Sequence, residues 1–409
     1  MIRFGPSGIP LSCKGRTLRD GIEDVHNLGL SALEVQLVRV NVQERPATEE
    51  EAGRRVRDVE AEIVVEVRRR DGDDGALTNL DTAIEAGDTV VSLTSGVAAD
   101  YGELEELGAL ARDLDIELSL HAPYYMDLAD VDHLAQKSMD SVRWGGLLAD
   151  AMQARVVSTH LGLYGGLEPA EALQRVTANL KTVRDWWRSL KLRPLLGIES
   201  SGRQEVIGSL EELLALAKAV KGVVPVLNFA HAHARSNGAL RQPSDFRAVM
   251  EVIAKLVPDG RLHTHFSGVE HESGNELRYT PIKKGDLRFE PLAEALLEDD
   301  GEITLVSSSP LLEHDAMYMK VIFERILAKQ LSRTVRPEIP GPRPLAGERE
   351  LPTAPPPRPP PRPKARPRTR ARPKAGRRAG KRVARPRRKA RPKARRRPKP
   401  KSRGRSRRR

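Results

Sequence analysis

The chain of 409 residues has a single cysteine, Cys13, and only 4% aromatic residues. One cysteine excludes an intramolecular disulfide framework and a cysteine-based zinc site, and it is typical of a reducing compartment. No apolar run in the sequence approaches the roughly 20 residues that a membrane-spanning helix needs. We therefore exclude disulfide-stabilised scaffolds and membrane proteins as classes, and we expect a cytoplasmic protein.

Acidic residues are almost absent from the last part of the sequence. Residues 341–409 hold 30 Lys or Arg against only Glu348 and Glu350, a net charge of +28, whereas residues 1–340 carry a net charge of −15. The same basic segment takes 16 of the 30 prolines and has no aromatic residue. Such a composition buries too little apolar surface to offset the entropy of ordering. The sequence predicts an acidic body over residues 1–335 and a disordered basic tail over residues 336–409.

The tail interleaves Lys and Arg with Pro, Ala and Gly, a composition that predicts an extended chain with exposed charge. A segment of this kind binds phosphate backbones without reading sequence, with a steep dependence on salt. We expect DNA as the partner and association with the nucleoid, with RNA, anionic membranes or acidic protein surfaces as alternatives. The candidate DNA-binding residues are Lys364, Arg366, Arg368, Arg370, Lys374, Arg377, Arg378, Lys381 and Arg382.

Eight short apolar runs bounded by turn residues predict strands. They are Ile2 to Gly5, Ala32 to Val40, Ile116 to His121, Val156 to His160, Leu195 to Glu199, Val223 to Asn228, Leu262 to Phe266 and Ile303 to Ser307. Most are continuously apolar, as in parallel strands covered by helices. Helical patterns alternate with them, for example Leu104 to Leu114 and Pro169 to Leu190. We predict a (β/α)₈ TIM barrel, with a doubly wound open sheet as the competing arrangement and a small β-containing insertion at residues 42–98.

Side chains that can bind metal stand where successive predicted strands end. They are His121, His160, Glu199, Asn228, His231, His263 and His265. The C-terminal ends of barrel strands meet at one rim, where barrel enzymes build their sites. A single histidine at a strand end is more often a hydrogen-bonded structural residue, but repetition over neighbouring strands predicts a metal site. Imidazole and carboxylate ligands suit zinc, and also manganese or iron.

Six motifs occur in the order LSLHAPYYMDL, VVSTHLGLYGG, GIESSG, NFAHAHARSNG, HTHFSG and SSSPLLEHDAMYMK. In this order they resemble the strand-end motifs of the endonuclease IV family, a branch of the xylose isomerase-like barrels. The resemblance covers most of residues 1–340 apart from the insertion, and the tail lies outside it. It implies an enzyme that cleaves the phosphodiester 5′ to an abasic site in DNA with a cluster of three zinc ions.

The resemblance also assigns roles to residues of this sequence. It implies that His121 and His160 bind a first zinc ion and that Glu199 bridges this ion to a second. His263 matches the histidine of the second zinc, and His231 matches that of the third. Glu199 is the predicted catalytic residue, because the metal that it holds with the two histidines would activate water for attack on a phosphate.

The sequence departs from the family at several ligand positions. Asn228 stands where the family has an aspartate, Ser308 where it has a glutamate, and Glu276 to Tyr279 replace an Asp-x-His pattern. Asn and Ser bind zinc poorly compared with carboxylates. The expected number of zinc ions is therefore one to three, and nearby side chains that have suitable atoms are His265, Glu270, His271 and Glu276.

The leading prediction is a monomeric DNA phosphodiesterase of the endonuclease IV type. Tyr124 and Tyr125 follow His121, and we expect them to pack on the barrel rim, with contact to nucleic acid as the alternative reading. Two other functions stay open. One is a non-catalytic DNA-binding protein with a degenerate metal site, which Asn228 and Ser308 favour, and the other is a sugar isomerase or epimerase built on the same barrel.

Overall fold

The computed structural model describes residues 1–38, 40–69, 79–298 and 301–334. The predicted tail, with its nine candidate DNA-binding residues, lies outside the described residues. The strands are β1 (Ile2–Pro6), β2 (Ala32–Gln36), β3 (Asn41–Pro46), β4 (Ile63–Arg68), β5 (Thr89–Thr94), β6 (Glu117–His121), β7 (Val156–Thr159), β8 (Leu195–Glu199), β9 (Val223–Asn228), β10 (Leu262–Phe266), β11 (Gly268–Glu272), β12 (Asn275–Thr280) and β13 (Ile303–Ser307).

Helices connect most of these strands. They are α1 (Leu18–Asn27), α2 (Tyr101–Asp113), α3 (His133–Ala151), α4 (Pro169–Ser189), α5 (Leu210–Ala219), α6 (Phe229–Arg235), α7 (Pro243–Ala254), α8 (Phe289–Leu297) and α9 (Glu313–Thr334). The helix starts follow local chemistry: Ser209 caps α5 through a capping box with Glu212, and Pro169 occupies the first turn of α4. None of the helices in the described ranges is both long and apolar enough to span a bilayer.

Eight parallel strands form a nearly closed barrel. Their order is β1, β13, β10, β9, β8, β7, β6 and β2. A parallel bridge between Ser7 and Glu34 brings the two ends of this order together, and the backbone N–H of Ser31 donates to the carbonyl of Phe4 at 3.0 Å. The predicted TIM barrel is confirmed, and all eight predicted strands belong to it. The barrel strands are almost entirely buried, as their continuous apolar runs indicated.

The insertion after β2 forms a small antiparallel sheet in the order β3, β5, β4. Alternation along its strands gives it two apolar faces. Ile63 and Val91 belong to the main core, whereas Val64 and Val90 pack in a separate small cluster with Val56, Val59, Val67 and Ile84. The Tyr101 hydroxyl of α2 donates to the carbonyl of Val64 at 3.0 Å. The sheet is thus tied to the barrel through shared core residues and a buried hydrogen bond.

Candidate metal centre at the barrel mouth

The barrel strands run in parallel, so their C-terminal ends form one rim. His121 ends β6, Glu199 ends β8 and Asn228 ends β9, while His160 follows β7 directly. His263 and His265 both lie within β10. The structure therefore brings the strand-end residues predicted from sequence to the same mouth of the barrel.

The first group in the mouth consists of His121, His160 and Glu199, whose potential ligand atoms all lie within 4.8 Å of one another. His121 Nε2 lies 2.7 Å from Glu199 Oε2, and its Nδ1 lies 2.6 Å from the carbonyl of Ala122. The backbone contact fixes the ring so that Nε2 faces the carboxylate. Burial lowers the pKa of His160 to about 4, so its imidazole is neutral and offers a lone pair.

The second group contains Glu34, a residue that the sequence analysis missed. Glu34 lies in β2, is fully buried, and forms a group with His263 and His265. Its Oε2 lies 2.7 Å from His265 Nε2 and 3.4 Å from His263 Nε2. Its Oε1 accepts hydrogen bonds from Ser7 at 2.9 Å and Gln36 at 2.8 Å. Every oxygen of this buried carboxylate therefore has a partner.

His265 lies between the two buried carboxylates. Its Nδ1 is 3.4 Å from Glu199 Oε1, opposite the contact of its Nε2 with Glu34. Burial alone would lower the pKa of His265, but the charges of Glu34 and Glu199 raise it well above the ordinary value. Burial would likewise raise the pKa of each carboxyl, yet the histidines, His265 first, hold both well below the usual range. The two buried carboxylates therefore favour the protonated form of the imidazole of His265.

The third group surrounds His231, which lies on the short helix α6. His231 Nε2 is 2.6 Å from the Tyr279 hydroxyl and 3.1 Å from Glu276 Oε2, and the His231 and Tyr279 rings stack at 5.5 Å. Its Nδ1 lies 2.5 Å from the Ser200 carbonyl and 3.6 Å from Glu199 Oε1. Burial opposes protonation, but Glu276 and Glu199 raise the pKa of His231 above its ordinary value.

Asn228 contributes a donor to the mouth. Its Oδ1 accepts from the backbone N–H groups of Ala230 and His231 and so caps α6. This fixes the orientation of the amide, because only its oxygen can accept those bonds. The Nδ2 group therefore faces the cluster and donates to Glu199 Oε1 at 2.9 Å and to the Tyr279 hydroxyl at 2.7 Å. The amide orients Glu199 and presents no oxygen to a metal.

The remaining candidate ligands have other partners than Glu199. His263 contacts Glu34 in the second group of the mouth, whereas His265 is the residue of β10 that also lies beside Glu199. Ser308 directly follows β13, and its backbone N–H donates to the carbonyl of Phe266 at 3.1 Å. Glu270 pairs with Arg278 at 2.8 Å on the exposed hairpin. His271 contacts Asp286 instead of the mouth.

The two tyrosines after β6 do not pack on the rim, so that expectation was wrong. Tyr124 is 71% exposed and Tyr125 is 49% exposed, and their rings contact each other edge to face at 5.8 Å. Both side chains are therefore substantially open to solvent. They are free to contact a ligand that approaches the mouth.

Metal binding at the mouth is expected to release protons at pH 7. The pKa of His265 is raised well above its ordinary value by Glu34 and Glu199, that of His121 is raised by Glu199, and a metal ligand must be neutral imidazole. Titration calorimetry with zinc in two buffers of different ionisation enthalpy measures the protons released. We expect at least about one per chain, with apparent affinity that increases with pH. Heats that are independent of the buffer would contradict this assignment of protons.

Comparison with known proteins gives the same fold. Residues 80–307 match the family described as xylose isomerase-like TIM barrel, and the chain belongs to that family. An uncharacterized protein of Methanocaldococcus jannaschii is 25% identical over 232 residues, which are 56% of this chain and 82% of that protein.

Two solved structures share the barrel. A D-tagatose 3-epimerase-like protein has a TM-score of 0.53 and 16% identity, over 81% of this chain and 99% of the other. Endonuclease IV from Thermus thermophilus has a TM-score of 0.51 and 18% identity, over 79% of this chain and 99% of the other. At these identities the likeness shows the fold alone.

Proposed function

We propose that the protein is a metal-dependent DNA phosphodiesterase that resembles endonuclease IV and incises DNA 5′ to abasic sites. The observation that carries the proposal is the buried cluster at the barrel mouth. Four histidines and two glutamates converge there from five strands and the helix α6: His121, His160, His231, His265, Glu34 and Glu199. Burying so many titratable groups is costly even where they pair with one another, and clusters of perturbed pKa values are concentrated at functional sites.

The residues of the mouth fit a divalent metal. His121, His160 and Glu199 would hold one ion, and Glu34 with His265 would contribute to a second beside Glu199. Imidazole and carboxylate atoms are the set that zinc prefers, with manganese or iron as alternatives. When bound, such a metal supplies a Lewis acid that polarises a phosphoryl oxygen and lowers the pKa of water.

The side chains around this site orient its ligands. Asn228 holds Glu199 through its amide, and the Ala122 carbonyl fixes the ring of His121. His231 lies between Glu276 and Glu199, which raise its pKa above the ordinary value, and a protonated imidazole there would place positive charge beside the phosphate of a substrate. Burial raises the pKa of Tyr279 well above its ordinary value, with Glu276 and Glu199 acting in the same direction, so its hydroxyl stays protonated.

The rim of the mouth supports a large substrate. Exposed apolar side chains stand on loops that follow several barrel strands: Leu11 after β1, Val38 after β2, Tyr124 and Tyr125 after β6, and Leu163 after β7. A ring of such residues around a polar site is typical of an interaction surface. Aromatic side chains also stack on unpaired bases, as beside an abasic gap. The basic tail would add contacts to the phosphate backbone.

A second candidate is a DNA-binding protein without catalysis. The observation that favours it is the amide of Asn228, which donates to Glu199 where a carboxylate would bind metal. Under this reading the mouth recognises a lesion through its hydrogen-bonding groups. Glu34 weighs against it, because this residue restores a carboxylate to the cluster.

The deciding experiment is incision of a duplex with one abasic-site analogue by the full chain, with zinc or manganese added and a chelator control. We expect metal-dependent cleavage 5′ to the analogue and none in an undamaged duplex. Binding without cleavage by metal-loaded protein would favour the second candidate. Turnover of a ketose by the same preparation, with no incision, would favour the sugar isomerase or epimerase alternative.

A further inference from the structure

We propose a second metal site outside the barrel mouth, formed by His233, His271 and Asp286. His233 lies on α6, His271 lies on β11, and Asp286 lies in the loop between β12 and α8. The potential ligand atoms of the three residues lie within 4.8 Å of one another. The site takes a divalent cation of the zinc type, and it does not depend on the function proposed for the mouth.

The new site is separate from the mouth because α6 presents two histidines to opposite sides. His231 and His233 are two residues apart, which on an α-helix is a rotation of about 200°. His231 contacts Glu199 and Tyr279 in the mouth, whereas His233 is completely buried on the other side, against His271. No step of the proposed phosphodiesterase uses His233, His271 or Asp286.

The distances in this group fit three ligands around one ion. Asp286 Oδ1 lies 3.2 Å from His233 Nε2 and 3.3 Å from His271 Nε2. Zinc bonds of about 2.0–2.1 Å in a tetrahedral site place neighbouring ligand atoms about 3.3 Å apart. Without an ion, the same contacts are two hydrogen bonds to Asp286 Oδ1. The spacing is compatible with the edges of a coordination tetrahedron in which both Nε2 atoms and Oδ1 face one ion.

The surroundings leave room for a fourth ligand. Asp286 is about half exposed, so water reaches the group from one side. Gly238 covers the group without a side chain, and a Cβ there would come within 3.4 Å of both His271 and Asp286. Arg241 lies 3.7 Å from Asp286 Oδ2, so it orients the carboxylate through the oxygen that is not shared with the histidines. Two histidines, one aspartate and water form a set that zinc accepts.

An ion here would link two elements that contribute side chains to the mouth. It would join α6, which carries His231, to the β11–β12 hairpin, which carries Glu276 and Tyr279. These three side chains meet in the mouth through contacts of 2.6 and 3.1 Å. Metal binding stabilises the arrangement that contains its ligands. The site would therefore hold the hairpin in the position that the third group of the mouth requires.

Equilibrium dialysis of the full chain against zinc, followed by metal analysis, counts the bound ions. His271→Ala and Asp286→Asn are each expected to bind one ion fewer than the parent. His314→Ala is the matched control, because His314 is exposed and lies 3.0 Å from the Glu313 carboxylate without belonging to any potential metal-binding group of the described residues. We expect its zinc count to equal that of the parent.

Glu199→Gln separates this site from the mouth. The variant should lose zinc at the mouth and keep the ion that His271→Ala removes. In this background zinc should slow hydrogen–deuterium exchange of the β11 and β12 amides, and adding His271→Ala should abolish the effect. An unchanged zinc count in His271→Ala and Asp286→Asn, or a hairpin whose exchange is insensitive to zinc, overturns the proposal. If the metal-loaded parent does not incise the abasic duplex, that result counts against the proposed function and not against this site.

Discussion

Replacing Glu199 by Gln is expected to reduce incision of an abasic duplex by about 10³-fold or more, since the Lewis acid supplies several kcal/mol and each 1.36 kcal/mol is tenfold in rate. Glu199 contacts both halves of the mouth: Oε2 lies 2.7 Å from His121, and Oε1 lies 3.4 Å from His265. The amide keeps the size of the side chain and removes its charge. The zinc count should fall together with the activity.

Glu205→Gln is the matched control for this substitution. Glu205 lies on the loop that follows the same strand, its side chain is 69% exposed, and its ion pair with Arg203 is long at 3.8 Å. Such a surface pair contributes at most about 1 kcal/mol, so both incision and zinc content should stay at the level of the parent. A Glu199→Gln variant that cuts at the parent rate would show that the mouth is not the site of catalysis.

The ligands that lie at the ends of barrel strands could be predicted from the sequence. Parallel strands in a barrel direct their C-terminal residues to one rim, so His121, His160 and Glu199 had to meet once the eight apolar runs were recognised. The geometry of β10 could not be read in the same way. His263 and His265 are two residues apart, so both point to the same face of β10. Only the structure shows that both contact Glu34 and that His265 also lies beside Glu199.

Glu34 was missed because it lies within a strand and not at its end. Its partners His263 and His265 are 229 and 231 residues away in the chain, and only the nearly closed barrel brings β2 opposite β10. The sequence did contain a signal. A glutamate in the middle of the apolar run SALEVQLVRV requires a buried partner, because an unpaired buried charge is very costly. That cost predicts a partner but does not identify it.

Glu34→Gln is expected to destabilise the metal-free protein by about 3–5 kcal/mol, the cost of breaking a buried ion pair by removing one partner. The change leaves protonated His265 with a single anion, Glu199, and weakens the acceptor for His263. Glu44→Gln is the control, since Glu44 pairs with Arg68 on the surface of the small sheet and is 52% exposed. We expect that variant to lose less than about 1 kcal/mol.

The pH dependence distinguishes this ion pair from a packing effect. The folded-state pKa of Glu34 is below its ordinary value of 4.5. Its contribution to the free energy of unfolding is therefore present above pH 4.5 and is lost as the pH falls through the lowered pKa. The pKa of His265 is raised above 6.5, so its contribution is present below pH 6.5 and is lost as the pH rises through the raised pKa. Urea unfolding in the presence of a chelator should therefore show the largest difference in free energy of unfolding between the parent and Glu34→Gln from pH 4.5 to 6.5. This difference in unfolding free energy should become smaller in alkali as His265 loses its proton. If the difference is constant with pH, or no larger than that caused by Glu44→Gln, then His265 does not carry the charge that balances Glu34.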